Sequence, residues 1–273
     1  MSDSVFEPYI QRWHLTPDGA PFASLGGLLL PVHRAGTPAI LKISRSPEEV
    51  AGGQLMAWWQ GDGAAPVLEI EGEALLMVRA QGEASLTQMV RDCRDDDATR
   101  ILCETVAHLH RPRLAPGPAL TPLPEWFHSL LNLPENSPDV LKRSAQTARM
   151  LLDTTTHTVV LHGDIHHANV LDFGTRGWLA IDPKGLRGER GFDYANLFCN
   201  PDVEMARKPE VFARRVDIVT RTAAIDPRRL LQWVLAWAGL SVVWMLEDDH
   251  GQLNGEAEGR LDVARLTAAA LDA

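Results

Sequence analysis

The segment Val160-Leu161-His162-Gly163-Asp164-Ile165-His166-His167-Ala168-Asn169-Val170-Leu171, with Trp178-Leu179-Ala180-Ile181-Asp182-Pro183 shortly after it, is the most informative part of this chain. Asn169 follows Asp164 by five residues, and Asp182 follows Asn169 by thirteen. That is the spacing of a phosphoryl-transfer catalytic loop. Mg²⁺ is a hard cation that takes oxygen ligands, so an Asn amide oxygen and an Asp carboxylate suit it, with ATP phosphates and water completing the octahedron. Asp164 must instead stay free to accept the proton of an attacking hydroxyl. Val170–Phe173 and Trp178–Ile181 flank Gly174-Thr175-Arg176-Gly177, which predicts a short hairpin that aims Asn169 and Asp182 at one cation.

Towards the N-terminus, Leu25–Val32 and Pro38–Ile43 read as two strands around the turn Ala35-Gly36-Thr37. Lys42 ends the second strand, in the context of a phosphate-binding lysine. Ser46-Pro47-Glu48-Glu49 has the form of a helix start running to about Trp59, with Ser as N-cap and Pro at the first position. Glu49 is open to two roles, a capping-box residue or the partner of Lys42. After Gly61-Asp62-Gly63, strand character returns at Val67–Ile70 and Ala74–Val78. Helical patterns then dominate: Ser85–Val90, Asp97–His110, Pro124–Leu131 and Ser137–Leu152, interrupted by a Pro-rich connector at 112–124. Thr158–Leu161 is a further strand. In the C-terminal region, Asp226-Pro227 caps a helix whose Leu230, Leu231, Val234, Leu235, Trp237 and Ala238 form one apolar stripe.

Composition narrows the classes further. A length of 273 residues suffices for a sizeable core in one large domain or two lobes. A net charge of −10 argues against a general nucleic-acid partner and favours cationic small molecules. Cys93, Cys103 and Cys199 lack disulfide or metal-ligand spacing, which suits a reducing, cytoplasmic setting. The opening residues have no secretory pattern, and the apolar run Val234–Leu246 is too short to span a bilayer, so no membrane partner is expected.

The catalytic segment, together with Ile181-Asp182-Pro183-Lys184-Gly185, Gly188-Glu189-Arg190, Phe192-Asp193-Tyr194-Ala195-Asn196, Trp58-Trp59-Gln60-Gly61-Asp62-Gly63 and Asp226-Pro227-Arg228-Arg229, closely resembles the aminoglycoside/hydroxyurea phosphotransferase family, and within it the streptomycin 6-kinase-like members. The resemblance runs from about Leu28 to about Trp244. It implies an α+β, bilobal protein-kinase-like fold: a small antiparallel β-sheet lobe with one helix over 1–78, and a larger, mostly helical lobe over 79–273. It also implies Asp164 as catalytic base, Asn169 and Asp182 as Mg²⁺ ligands, Lys42 as the ATP-phosphate lysine and Glu49 as its partner. Gly26 and Gly27 stand where a phosphate-covering loop is expected, and backbone groups of Val78 and Ala80 where adenine would lie. Asp193 would brace the catalytic loop, and His162 would orient it.

The acceptor implied is a cationic small molecule bearing a hydroxyl, a streptomycin-type aminocyclitol first. Hydroxyurea and an ordinary amino alcohol or sugar are alternatives. A non-catalytic nucleotide-binding relative would have lost the base, the metal ligands or the lysine, and all are present. In kinases of cationic antibiotics, acidic residues of the C-terminal helices neutralise the substrate; Glu247, Asp248 and Asp249 either do this or form a solvated face. Lys184, Arg187, Glu189 and Arg190 are divided between substrate or phosphate contacts and a solvated loop. Trp233, Trp237 and Trp244 are expected in the core, and His166-His167 is not expected to bind zinc.

Overall fold

The computed structural model describes residues 5–250 and 252–273. The chain begins with α1 (Glu7–Arg12), β1 (Leu15–Pro17) and β2 (Phe22–Ser24), followed by β3 (Gly27–Arg34), β4 (Thr37–Ser44), α2 (Pro47–Trp59), β5 (Val67–Glu71) and β6 (Ala74–Val78). The strands form one antiparallel sheet in the order β1-β3-β4-β6-β5, with β2 also paired to β3. The β3–β4 hairpin closes through Ala35-Gly36, both at positive φ (47° and 80°), as a two-residue turn matching the strand twist requires. Strand alternation divides β4 between two faces. Ala39 and Leu41 pack with Leu30, Val32, Leu76, Phe6 and Trp13 on one side, and Ile40 and Lys42 face the other.

The first strand starts two residues later than its apolar run suggests. Leu25 lies outside it, fully exposed. The elements α1, β1 and β2 are not apparent in the sequence pattern.

The second lobe contains α3 (Leu86–Arg91), α4 (Asp95–Leu109), β7 (Thr121–Pro122), α5 (Leu123–Trp126), α6 (His128–Leu131), α7 (Asp139–Asp153), β8 (Thr158–Leu161), β9 (Val170–Asp172), β10 (Trp178–Ala180), β11 (Leu186–Glu189), α8 (Val203–Ala206), α9 (Pro209–Ala223), α10 (Pro227–Asp248) and α11 (Gly255–Asp272). The molecule is therefore bilobal and α+β, a small sheet lobe with one long helix joined to a larger helical lobe. At 22 residues, α10 is longer than its apolar run suggests and is apolar enough to cross a membrane by composition. Most of it is buried: Leu230, Trp233, Val234, Leu235, Ala238 and Val242 are fully covered, with α7, α11 and the turn at Arg190–Tyr194 packed against the helix. Its N-terminus is held by the Asp226 carboxylate, which accepts the Arg229 amide at 2.8 Å.

Strand β11 occupies what reads in the sequence as loop. It pairs antiparallel with β8 and parallel with β7. Glu189 at its end is buried and accepts from Arg229 Nε (2.9 Å), Arg229 Nη2 (2.5 Å), Trp233 Nε1 (2.9 Å) and the Thr156 amide (3.1 Å). Burial pushes its pKa up, but these donors override burial and hold it below the ordinary 4.5. A lowered folded pKa stabilises above the ordinary value and is lost as pH falls through the folded one. Glu189→Gln is thus expected to cost about 2–3 kcal/mol at neutral pH, and less below pH 4.5. Urea midpoints at pH 7 and pH 3.5 test this, and equal losses at both would contradict it.

Candidate active site

Lys42 sits on β4 opposite Leu29 of β3 and Leu75 of β6, so its stem is fixed by ladders on both sides. Its ammonium pairs with Glu49 and with Asp182, and its side chain is 6% exposed. Helix α2 brings Glu49 there. Ser46 Oγ accepts the Glu49 amide at 3.3 Å, which completes the N-cap, while the Glu49 carboxylate turns to the lysines. The ion-pair role is the one the side chain adopts. Gly52, one turn later, lets α2 press against the Pro183 carbonyl; a Cβ there would collide with that oxygen.

The catalytic segment leaves β8 and enters β9. The Asp193 carboxylate, fully buried, accepts the amides of His162 (2.9 Å) and Gly163 (2.7 Å) and is bonded to His110 Nε2 (2.8 Å). His162 Nδ1 accepts the Asp164 amide (3.2 Å), which assigns the ring proton to Nε2, and Nε2 donates to the Ile181 carbonyl (2.9 Å). Burial lowers the His162 pKa to about 4, so the ring is neutral and this tautomer holds. His162 therefore ties the backbone at Asp164 to the residue preceding Asp182. Trp59 stacks on its ring at 6.2 Å.

Both oxygens of Asp164 are held by amides. Asn196 Nδ2 donates to Oδ1 at 2.7 Å and Asn169 Nδ2 to Oδ2 at 3.2 Å, with a further bond from Asn169 Nδ2 to the Asp164 carbonyl at 2.9 Å. Burial raises the Asp164 pKa to about 7; the Lys184 ammonium opposes this shift and the Asp182 charge adds to it. At Asp182, burial again favours the neutral acid, but the adjoining Lys42 prevails and the pKa is lowered. The Asp182 backbone is left-handed, φ 63°, a strained conformation for a non-glycine residue.

Two cavities meet at these residues. One, of about 390 Å³ between the lobes, is lined by Ile40, Lys42, Glu49, Met77, Val78, Ala80, Asn169, Leu171, Phe173 and Asp182. Its flat apolar walls and charged end suit a nucleotide. The Val78 amide donates to the Pro66 carbonyl at 2.9 Å and is therefore not open to a base. Gly26 and Gly27 are not in its lining; Ser24 and Phe22 of β2 stand in that place. Gly26 packs against the Lys42–Glu49 pair so closely that a Cβ would strike the Glu49 carboxylate.

The second cavity, about 850 Å³, opens over Gly163 and Asp164. Glu48, Glu125, Glu247 and Asp248 give it acidic walls, and Trp126, Trp237 and Trp244 an aromatic one. Trp126 and Trp244 meet edge to face at 5.2 Å. Trp233 and Trp237 are buried in the core, as expected, and Trp244 packs against it half-buried; Trp237 and Trp244 also border this cleft, which aromatic periodicity alone does not show. Asp249 is not in its lining: it ends α10 and its carboxylate pairs with Asn254. His166 and His167 belong to no metal-holding cluster among the described residues. Asn196 is the site residue that spacing left unassigned; Lys184, divided in the sequence between a substrate or phosphate contact and a solvated loop, is held at the site by Glu49. Asn196 stands in the quoted motif, but only the tertiary fold brings it to Asp164.

This fold and this pair of clefts define a kinase of small molecules built on the protein-kinase plan. The chain belongs to the aminoglycoside/hydroxyurea antibiotic resistance kinase family, whose model matches residues 12–249. It is 47% identical to a streptomycin 3''-kinase of Klebsiella pneumoniae, over 88% of this chain and 91% of that one. Identity to a streptomycin 6-kinase of Streptomyces glaucescens is 29%, over 93% and 86%. The fold is that of a crystallised aminoglycoside phosphotransferase in ternary complex with ADP and hygromycin B, with TM-score 0.65, 12% identity, and coverage of 97% and 98%. The chain is accordingly an ATP-using phosphotransferase whose acceptor is a small-molecule hydroxyl.

Proposed function

We propose that this protein transfers the γ-phosphoryl group of ATP, with Mg²⁺, to streptomycin, at the 3''-hydroxyl. The acidic, tryptophan-walled cleft over Asp164 carries the reading, because it is sized and charged for a polycationic sugar and ends at a proton acceptor. Its relative of 47% identity points to the same acceptor and hydroxyl. A cleft with four carboxylates has no matching chemistry in hydroxyurea, which is small and uncharged.

Asp164 takes the proton of the acceptor hydroxyl while the hydroxyl oxygen attacks the γ-phosphorus in line with the departing ADP. Asn196 and Asn169 fix the direction of the Asp164 lone pairs. Lys42 holds the α- and β-phosphates and Glu49 holds Lys42. Asn169 and Asp182 fit Mg²⁺. The Asn169 amide nitrogen is committed to Asp164, so its carbonyl oxygen is the atom left for a cation, and the Asp182 carboxylate faces the same cavity. When bound, the ion neutralises phosphate charge. The nucleotide lobe is 1–78 and the catalytic and acceptor lobe 79–273, acting in the ATP-supplied cytoplasm.

A coupled ADP-release assay with streptomycin, other aminoglycosides, hydroxyurea, amino alcohols and sugars tests the acceptor, and phosphorus and proton NMR of the product tests the position. Release unaffected by streptomycin would refute the acceptor. The acidic wall makes a separate prediction. Glu247→Gln with Asp248→Asn is expected to raise the KM for streptomycin about tenfold, the order of one or two charge-assisted contacts, with the KM for ATP unchanged.

A further inference from the structure

Glu49 contacts two lysines, not one. Its Oε2 meets Lys42, and its Oε1 meets the Lys184 ammonium at 2.5 Å, with Glu48 Oε1 at 3.7 Å from the same nitrogen. The two lysines face different cavities: Lys42 lines the nucleotide cleft and Lys184 the acceptor cleft. Lys184 is the one lysine or arginine among the described residues lining the acceptor cleft, where it stands with Gly163 and Asp164. It is held there by its backbone, since the Lys184 amide donates to the His162 carbonyl at 2.7 Å. The side chain is 17% exposed, enough for contact with a ligand and too little for free solvation.

The transferring phosphoryl group passes from the first cavity to the second, and its three equatorial oxygens carry charge throughout. The loop from Asp164 to Asn169 supplies no cation for it. His166 is near enough, 3.9 Å from Asp164 Oδ2, but burial holds its pKa near 4 and it is neutral. Lys184 is the cation placed at the crossing.

We propose that Lys184 is a second phosphoryl-contacting lysine. Lys42 grips the phosphates that stay with ADP, and Lys184 meets the γ-phosphoryl oxygens as the acceptor oxygen–phosphorus bond forms and the bond to the β–γ bridging oxygen breaks. The acceptor proton goes to Asp164 and the bridging electron pair leaves with ADP; Lys184 exchanges no atom and contributes charge alone. Glu49 positions both ammoniums from the two oxygens of one carboxylate. The inference rests on phosphoryl transfer beside Asp164, and it does not depend on which molecule is the acceptor.

The test compares purified Lys184→Met and Lys184→Arg with the wild type, measuring kcat, the KM values for ATP and acceptor, acceptor-free ADP release and thermal melting. The Met variant is expected to lose about 10³-fold in kcat, the lower edge of what a cation on a transferring phosphoryl contributes. Its KM values should stay within about threefold and its slow acceptor-free ADP release should fall in parallel, because uniform binding is not what is removed. The Arg variant should recover at least tenfold. A kcat within threefold of wild type in the Met variant overturns the proposal, as does a loss appearing only as a raised KM for ATP, which would make Lys184 a prop for Glu49. Should the Met variant unfold at the assay temperature, Lys184→Gln, which keeps a donor for Glu49 and removes the charge, replaces it under the same criteria. If streptomycin is not the acceptor, that assignment fails alone, and the comparison runs unchanged on the active acceptor or on acceptor-free ADP release.

Discussion

Asp164→Asn is expected to reduce kcat by about 10³-fold or more, within the range set by removing a positioned general base, while the protein stays folded and still binds Mg·ATP. The side chain keeps its shape and one oxygen, so the bond from Asn196 Nδ2 survives. The other position becomes an NH2 facing the Asn169 Nδ2 donor, so the paired-amide cradle is half broken. More important, the group near the acceptor hydroxyl can no longer take a proton. Lys42, Glu49 and Asp182 are untouched, so the KM for ATP should change little. Single-turnover phosphoryl transfer with the wild type in parallel, and a thermal shift with Mg·ATP for both, measure the two halves separately. A variant with undiminished turnover would remove Asp164 from the chemistry and leave it as a loop residue.

The parts of this molecule legible in its sequence are those set by local rules. The Ser46 N-cap, the Ala35-Gly36 turn and the β9–β10 hairpin depend on residues within a few positions of one another, and each appears where the pattern places it. The spacing of Asp164, Asn169 and Asp182 also survives folding, because one short hairpin carries the last two into a common cavity. Strand β11 was opaque for the opposite reason. Four residues with one glycine and a terminal glutamate have no period of their own, and they become a strand because β8, some 25 residues earlier, supplies the ladder. Asn196 and Lys184 fall in the same class. Asn196 opens a short 3-10 turn at Asn196–Cys199 and Lys184 lies in the irregular stretch between β10 and β11, and packing decides how each reaches the site. The acceptor wall shows the limit most clearly: Trp233 and Trp237 are four residues apart on α10 and both are buried, yet the first is enclosed by Phe127 and Phe192 and the second also borders the cleft.

The same distinction explains why the second large effect is expected at Asp193, a residue far from any acceptor atom. Its carboxylate sits beneath the catalytic loop with no exposure, taking the two consecutive amides of His162 and Gly163 and contacting His110. The Gly163 backbone has φ 88°, and the space where its side chain would be is filled by Leu186 and Lys184, so the loop has little freedom to turn these amides elsewhere. Asp193→Ala leaves two buried amides without acceptors, at about 1–3 kcal/mol each, together with a cavity, and a total of roughly 3–5 kcal/mol is expected. Asp193→Asn should lose less, since one oxygen remains, but its NH2 must face one of the two amides, so one bond becomes a clash between donors. Both variants should lower kcat more than either KM, because Asp164 is attached to the same short stretch and a displacement of about 1 Å can cost ~100-fold in rate. Urea midpoints give the stability losses, and steady-state kinetics well below the melting temperature gives the turnover. Were Asp193→Asn to lose stability while kcat held, the bracing of the loop would be structural only, and the geometry at Asp164 would have to be maintained by Asn196 and Asn169 alone.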